Sequence, residues 1–430
     1  MATAFFALIP LLCSSSLLRA ADDFERAPIN YSKATPHNAI SRLQAQLDAG
    51  KLSLTVHKDH GYLPSVLKAL NVPESSQVLV FSKTSLQRTR ISPKTPRALY
   101  FNDEVYIGFC QAGQVLEINA VDPKLGTVFY TLDQQQVDRP RFERQTESCL
   151  LCHASSQTKN VPGHTLRSVY PDRGGEAILS LGSARVDQTT DFNRRWGGWY
   201  VTGTHGKQVH LGNLIVKNKA DRETIANNPD GQNVTSLKGF LDPAAYLTPH
   251  SDIVALMVLE HQTEAHNLIA RAGIQARLAL HDQALLNKEL KRDPDHYSET
   301  TDRRIRSVAD PLVRYLLFSG EAKLTEKVAG TSSFATDFVK NAPRDSKGRS
   351  LRDFDLERRL FKYPCSYLIY SEAFAELPAP MKECVLQQIH DVLTDRHYGS
   401  GYGHLSAEDR RAILEILRET KKDLPDYWRK

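Results

Sequence analysis

The spacing of apolar residues changes four times along the chain. From Asn38 to Leu54, Ile40, Leu43 and Leu47 recur at helical spacing, and a second short helix is expected over Leu63–Leu70. The period then shortens to two. "QVLVFSK", "RALYFNDEVYIGFC" and "QVLEINAVDPKLGTVFYTL" read as strands, with turns at Asn102-Asp103 and from Asp122-Pro123 to Gly126. Residues 76–133 are therefore expected to form a small antiparallel sheet. Residues 134–196 are rich in Gly, Pro, Arg and polar side chains and are expected to be mostly loop. "GGWYVTGTHGKQVHLGNLIV" returns to strand character, with Thr204-His205-Gly206 at a turn whose tip exposes His205. From Ser251 the pattern is mainly helical. "SDIVALMVLEHQTEAHNLIARA" opens with Ser251 as the expected N-cap and seven apolar residues in succession, the mark of a buried helix. The last helix starts at a capping box, Ser406 with Asp409, and carries Ile413, Leu414 and Leu417 as its stripe.

The fold class expected from this order is α+β. A signal segment (1–21) and an N-terminal helical segment (22–75) come first. A β-rich region with a long loop segment (76–218) precedes a helical C-terminal domain (219–430). No repeat interrupts the series. Within 430 residues, 41% apolar and 24% charged content is that of an ordinary globular protein. A formal net charge of +5, with no Lys/Arg block, gives no reason to expect a nucleic-acid partner.

The first twenty residues, "MATAFFALIPLLCSSSLLRA", run apolar from Phe5 to Leu12 and end in small residues, with cleavage expected at Ala20 or Ala21. The pattern is that of a secretory signal, too short for a membrane span, and the chain is expected to be periplasmic or otherwise exported. Bulky Leu12 before Cys13 argues against lipid attachment there. No later stretch is long and apolar enough to span a bilayer.

Removal of Cys13 with the signal leaves Cys110, Cys149, Cys152, Cys365 and Cys384, an odd number that cannot all pair within one chain. Cys365 and Cys384 flank "LPAP". On a helical hairpin they would lie at unequal heights, about 18 and 6 Å from the turn, so a bridge between them is not expected.

Cys149-Leu150-Leu151-Cys152-His153 is CxxCH, the attachment pattern of c-type haem. Two thiols three positions apart on one helical turn can form thioethers to one edge of a porphyrin. The adjacent His153 is then carried beneath the ring as an axial ligand. A thioredoxin-like dithiol would be expected near a βαβ pattern, and a zinc site would need a second ligand pair; neither is present in the sequence. The wider stretch, "CLLCHASSQTKNVPGHTLRSVYPDRGG" with "RRWGGWYVTGTHG", resembles the large single-haem cytochrome c-domain proteins of bacterial envelopes. That resemblance implies one covalent haem c on Cys149 and Cys152 with His153 on iron, and it implies no particular reaction. The chain departs from the small cytochrome c pattern: the motif lies mid-chain, and the only later methionines are Met257 and Met381.

Candidates for the sixth iron position follow from placement. His164 lies in a Pro-Gly loop eleven residues after His153. Met257 and His261 share a face of the apolar helix at i, i+4. The polar patch Glu260, His261, Glu264 and His266 is either a buried site needing partners or the point where the helix emerges into solvent. His261 ranks first, then His164, then Met257. Arg167 and Arg173, with Arg194 and Arg195, are candidate partners for haem propionates, since guanidinium matches carboxylate in a bidentate fork. Trp196, Trp199 and Tyr200 would either wall a pocket or pack a hairpin. The functions compatible with these features are electron transfer with a redox protein or small-molecule donor or acceptor, a peroxidase-like oxidoreductase with an open or displaceable sixth position, and a haem-based sensor.

Overall fold

The computed structural model describes residues 22–395 and 401–429; the signal segment expected over residues 1–21, with Cys13, lies outside the described residues. The architecture is α+β, as expected. Helices α1 (Ala39–Asp48) and α2 (Leu63–Ala69) precede strands β1 (Val78–Val80), β2 (Arg97–Phe101), β3 (Val105–Phe109), β4 (Val115–Asp122), β5 (Gly126–Asp133) and β6 (Phe142–Gln145). The connection through α3 (Leu150–His153), β7 (Arg167–Val169) and β8 (Ser183–Arg185) leads to β9 (Trp199–Tyr200) and β10 (Gly203–Thr204). Seven strands form one antiparallel sheet in the order β6-β5-β4-β3-β2-β1-β9. The two turns read from the sequence, at Asn102 and after Asp122, join β2 to β3 and β4 to β5.

Alternation in β4 determines the two sides of this sheet. Leu116, Ile118 and Ala120 are buried, while Val115, Glu117, Asn119 and Val121 are half-buried. The first set joins Ile40, Leu43, Leu63, Val66 and Leu67 of α1 and α2 in one core. On the other face, Val78, Val80, Phe101 and Tyr106 join a second core built around the C-terminal helices.

Those helices are α4 (Arg222–Asn227), α5 (Ile253–Glu289), α6 (Glu299–Leu316), α7 (Phe334–Lys340), α8 (Glu372–Ala375), α9 (Ala379–Leu393) and α10 (Ala407–Thr420); β11 (Ala329–Gly330) pairs with β10. At 37 residues, α5 is about 55 Å long and reaches well beyond Ala272. Its N-cap is Asp252, whose Oδ1 accepts from the amides of Val254 and Ala255, and not Ser251. Ser251 is already committed to the sheet: its hydroxyl donates to the Tyr200 carbonyl and accepts from the Leu79 amide. The capping box of α10 forms as expected.

Strand character after β9 is briefer than its sequence suggests. Residues 207–216 form no strand: the side chains of Asn228 and Gln232 satisfy backbone groups of His210 and Gly212, and that of Asn213 bonds both backbone groups of Val201. His205 is fully buried rather than exposed at a turn tip. Its Nε2 accepts from the Asn233 amide, and its ring lies 4.6 Å from that of His210. Cys110, Cys365 and Cys384 are free thiols. No helix of the described residues is long and apolar enough to cross a membrane.

Candidate haem-attachment site

Cys149 starts a single helical turn, with the His153 amide donating to its carbonyl at 2.9 Å. The turn places Cys149 and Cys152 on one side and leaves Leu151 projecting outward, 81% exposed. The chain then reverses within ten residues. Ser155 caps a short 3-10 turn, and Lys159 and Asn160 both take left-handed conformations. The reversal brings Gly163 back against His153. The Gly163 amide donates to the His153 carbonyl at 2.8 Å, and the Gly163 carbonyl lies 3.0 Å from His153 Nδ1.

A carbonyl only accepts, so Nδ1 carries the proton and Nε2 carries the lone pair of the neutral ring. Burial lowers the His153 pKa and keeps the imidazole neutral. No hydrogen bond is made by Nε2 among the described residues. A histidine held by its Nδ1–H on a backbone carbonyl is oriented as a metal-ligating histidine is oriented.

The ring rests on Phe129 of β5, with centroids 4.9 Å apart. Register places Phe129 beside Asn119, and Glu117 beside Thr131 and Gly108, on the same sheet face. Glu117 Oε2 accepts from Arg97 Nη1 at 2.7 Å, while its Oε1 accepts from the Ser85 hydroxyl and the Gln87 amide. Burial, then Glu117, then Cys152 push the Cys149 thiol up to about 11. That is opposite to the lowered thiol of a redox-active dithiol. Among the described residues, no group of three or more His, Cys, Asp or Glu side chains is arranged to hold a metal, so the zinc alternative gains no further ligands. The turn suits a covalent porphyrin in three respects: two same-side thiols, a ring nitrogen left without a protein partner among the described residues, and exposed apolar surface at Leu151.

The candidates for the second axial position are placed elsewhere. His261 Nδ1 donates to Gln188 Oε1 at 2.5 Å, so its Nε2 accepts from the Ser366 hydroxyl at 2.8 Å. Its ring stacks on Phe318 and Tyr315. Both nitrogens are engaged, and the structure does not bring His261 to the turn. Met257 is packed in the second core. His164 is the neighbour of His153, but the two lean on the same face of β5. His164 Nε2 lies 3.0 Å from Thr127 Oγ1, two residues from Phe129, so this nitrogen is already engaged.

Arg167 and Arg173 are exposed, and neither bonds to residues 149–153 among the described residues. Arg167 donates to the Ser183 hydroxyl at 2.9 Å. Arg195 is buried against Glu260, with Trp196 Nε1 donating to the same carboxylate at 3.2 Å. Trp196 packs edge-on to Phe192 and His210, and Tyr200 packs on Phe81, so these rings fill core.

The polar patch of α5 does not emerge into solvent; all four of its residues are buried. Three of them hold the segment that follows the cysteine turn. Glu260 takes Arg195, His261 takes Gln188, and Glu264 takes Lys159 and Arg185. Asn267, one turn on, grips the His164 backbone at both ends: Oδ1 accepts from its amide and Nδ2 donates to its carbonyl, each at 2.8 Å. The fourth, His266, faces Tyr106, with 2.9 Å between its Nδ1 and the Tyr106 hydroxyl. Phe129, Glu117, Arg97, Gly163 and Asn267 carry no sequence signal of their own, because only register and chain reversal bring them to Cys149–His153.

No family model matches the chain, and comparison with curated proteins and with solved structures found no similar protein. The site is therefore read from its own chemistry.

Proposed function

We propose that this chain is a single-haem c-type cytochrome, periplasmic or otherwise exported, that carries electrons between redox partners.

 The proposal gives Cys149 and Cys152 the two thioether bonds and His153 the axial position. One observation carries it: His153 Nδ1 is fixed on the Gly163 carbonyl beside two same-side thiols, which leaves Nε2 free to ligate. A haem bound there would supply one-electron exchange at iron. The chain's own residues do the rest. The cysteine turn tethers, the Gly163 carbonyl fixes the ring of His153, and Phe129 supports it. Asn267 and Glu264 hold the following loop on α5.

A second reading, a haem-dependent oxidoreductase with an open or displaceable sixth position, is favoured by one observation. His261 and His164 each have ring nitrogens engaged by other side chains, and Met257 is packed in the core around α5. Optical spectra of the ferric protein separate the two: low-spin iron supports electron transfer, and high-spin iron supports the oxidoreductase. The shared premise is tested by replacing both Cys149 and Cys152 with Ala. Haem that resists acid and denaturant in the wild type should be lost from the double variant. Release of haem from denatured wild-type protein would overturn both readings.

A further inference from the structure

The sheet face that supports His153 also carries an ion pair that the attachment chemistry does not use. Arg97 of β2 and Glu117 of β4 meet at 2.7 Å, with side chains only 17% and 15% exposed. One strand, β3, lies between them in the sheet. The residue of β3 opposite Glu117 is Gly108, which also pairs with Leu99. A Cβ at 108 would touch Arg97 Cδ at 3.5 Å, so the arginine stem crosses β3 over the one position without a side chain. Glu117 is further anchored by the Ser85 hydroxyl at 2.8 Å and the Gln87 side-chain amide at 3.2 Å.

Phe129, on which the His153 ring rests, lies diagonally across from Glu117 on the neighbouring strand and on the same face. Such diagonal neighbours are about 7–8 Å apart. At that range, in a partly shielded site, a unit charge still acts on its surroundings. Both members of the pair bear on His153, and Glu117 also bears on Cys149.

We infer that Arg97 and Glu117 are opposed tuning residues for the redox group proposed at His153: Glu117 favours its oxidised, more positive form and Arg97 its reduced form. This rests on the haem reading above. Neither residue ligates or touches the reacting atoms. Each acts through its charge, held at a fixed place by the sheet. Because the pair nearly cancels, removing one member exposes the full effect of the other.

The experiment is a potentiometric titration of purified holoprotein, wild type beside Glu117→Gln and Arg97→Gln. Glutamine at 117 keeps an acceptor for Ser85 and Gln87 and removes only the charge. The reduction potential should rise in Glu117→Gln and fall in Arg97→Gln. A merely structural role predicts the same direction for both, since loosening the site admits water in either case. Potentials that move together, or do not move, would overturn the inference. Haem retention after denaturation is read on the same samples. A wild type that releases its haem removes the reading on which the inference rests, whereas retained haem with unseparated potentials removes the tuning alone.

Discussion

At the scale of single residues, Gly163 shows how the site depends on a group that has no side chain. Its carbonyl orients His153, its amide returns a hydrogen bond to the His153 carbonyl, and a Cβ there would run into the side-chain amide of Asn267. Gly163→Ala should therefore cost about 1–3 kcal/mol of stability by overpacking and lower the yield of covalently held haem. Urea unfolding and the absorbance of denatured protein check the two effects. Unchanged stability with full haem yield would show that Asn267 can swing aside freely. The sequence displayed Cys149, Cys152 and His153 because their chemistry is local, confined to one helical turn. Gly163 was visible only as part of a Pro-Gly loop. Nothing local marked Glu117 or Phe129, since an outward glutamate in an alternating strand and a phenylalanine in an apolar one are ordinary until register brings them to His153.

At the scale of elements, the apolar start of α5 was legible as a buried helix, and its polar stretch was legible as a set of groups needing partners or solvent. Which alternative held was not, because most of the partners come from residues 159–195, a segment without periodicity, and others, Tyr106 and Ser366, are distant in sequence. The structure makes this stretch a latch. Asn267 satisfies both backbone groups of His164, which is itself buried. Replacing Asn267 with Leu strands a buried amide and a buried carbonyl together. We expect a loss of about 2–6 kcal/mol, from one desolvation penalty for each orphaned group. Amide exchange should quicken in residues 155–190 more than in the sheet. Uniformly faster exchange throughout the chain would instead mean that α5 itself had been destabilised, and the latch would lose its support. The failed expectation of Ser251 as N-cap belongs to the same scale. Asp252 is the adjacent competitor, and Ser251 was needed to bridge β9 and β1.

At the scale of the whole molecule, the class of fold was legible because strand and helix periods fall in separate halves of the chain. What the halves share was not. The core around α5 takes Val78, Val80, Phe101 and Tyr106 from the sheet, and that pairing is set by tertiary contact alone. Burial on this scale has a consequence for acid stability. His261 and His266, both fully enclosed on α5, are pushed down to about 3 by desolvation. His153, His164, His205 and His210 are lowered as well, each first by burial. A histidine with a lowered folded pKa binds its proton first in the unfolded chain. The stability it contributes is present above the unfolded value of about 6.5 and is lost as pH falls through the folded value. Buried Glu260 and Glu264 work in the opposite sense. Their raised pKa values contribute stability at low pH that is lost as pH rises, so the raw profile mixes both. A difference between variants isolates one group. His266→Gln removes one proton from the unfolded chain's advantage while leaving an acceptor for the Tyr106 hydroxyl. Its stability should therefore fall less steeply than that of the wild type between about pH 6 and pH 4. The slopes should differ by about 1.4 kcal/mol per pH unit near the middle of that window, one proton's worth. Urea unfolding at half-unit steps of pH measures both slopes. Parallel lines would mean that His266 takes up its proton while the protein is still folded, and that its enclosure on α5 does not hold the ring neutral.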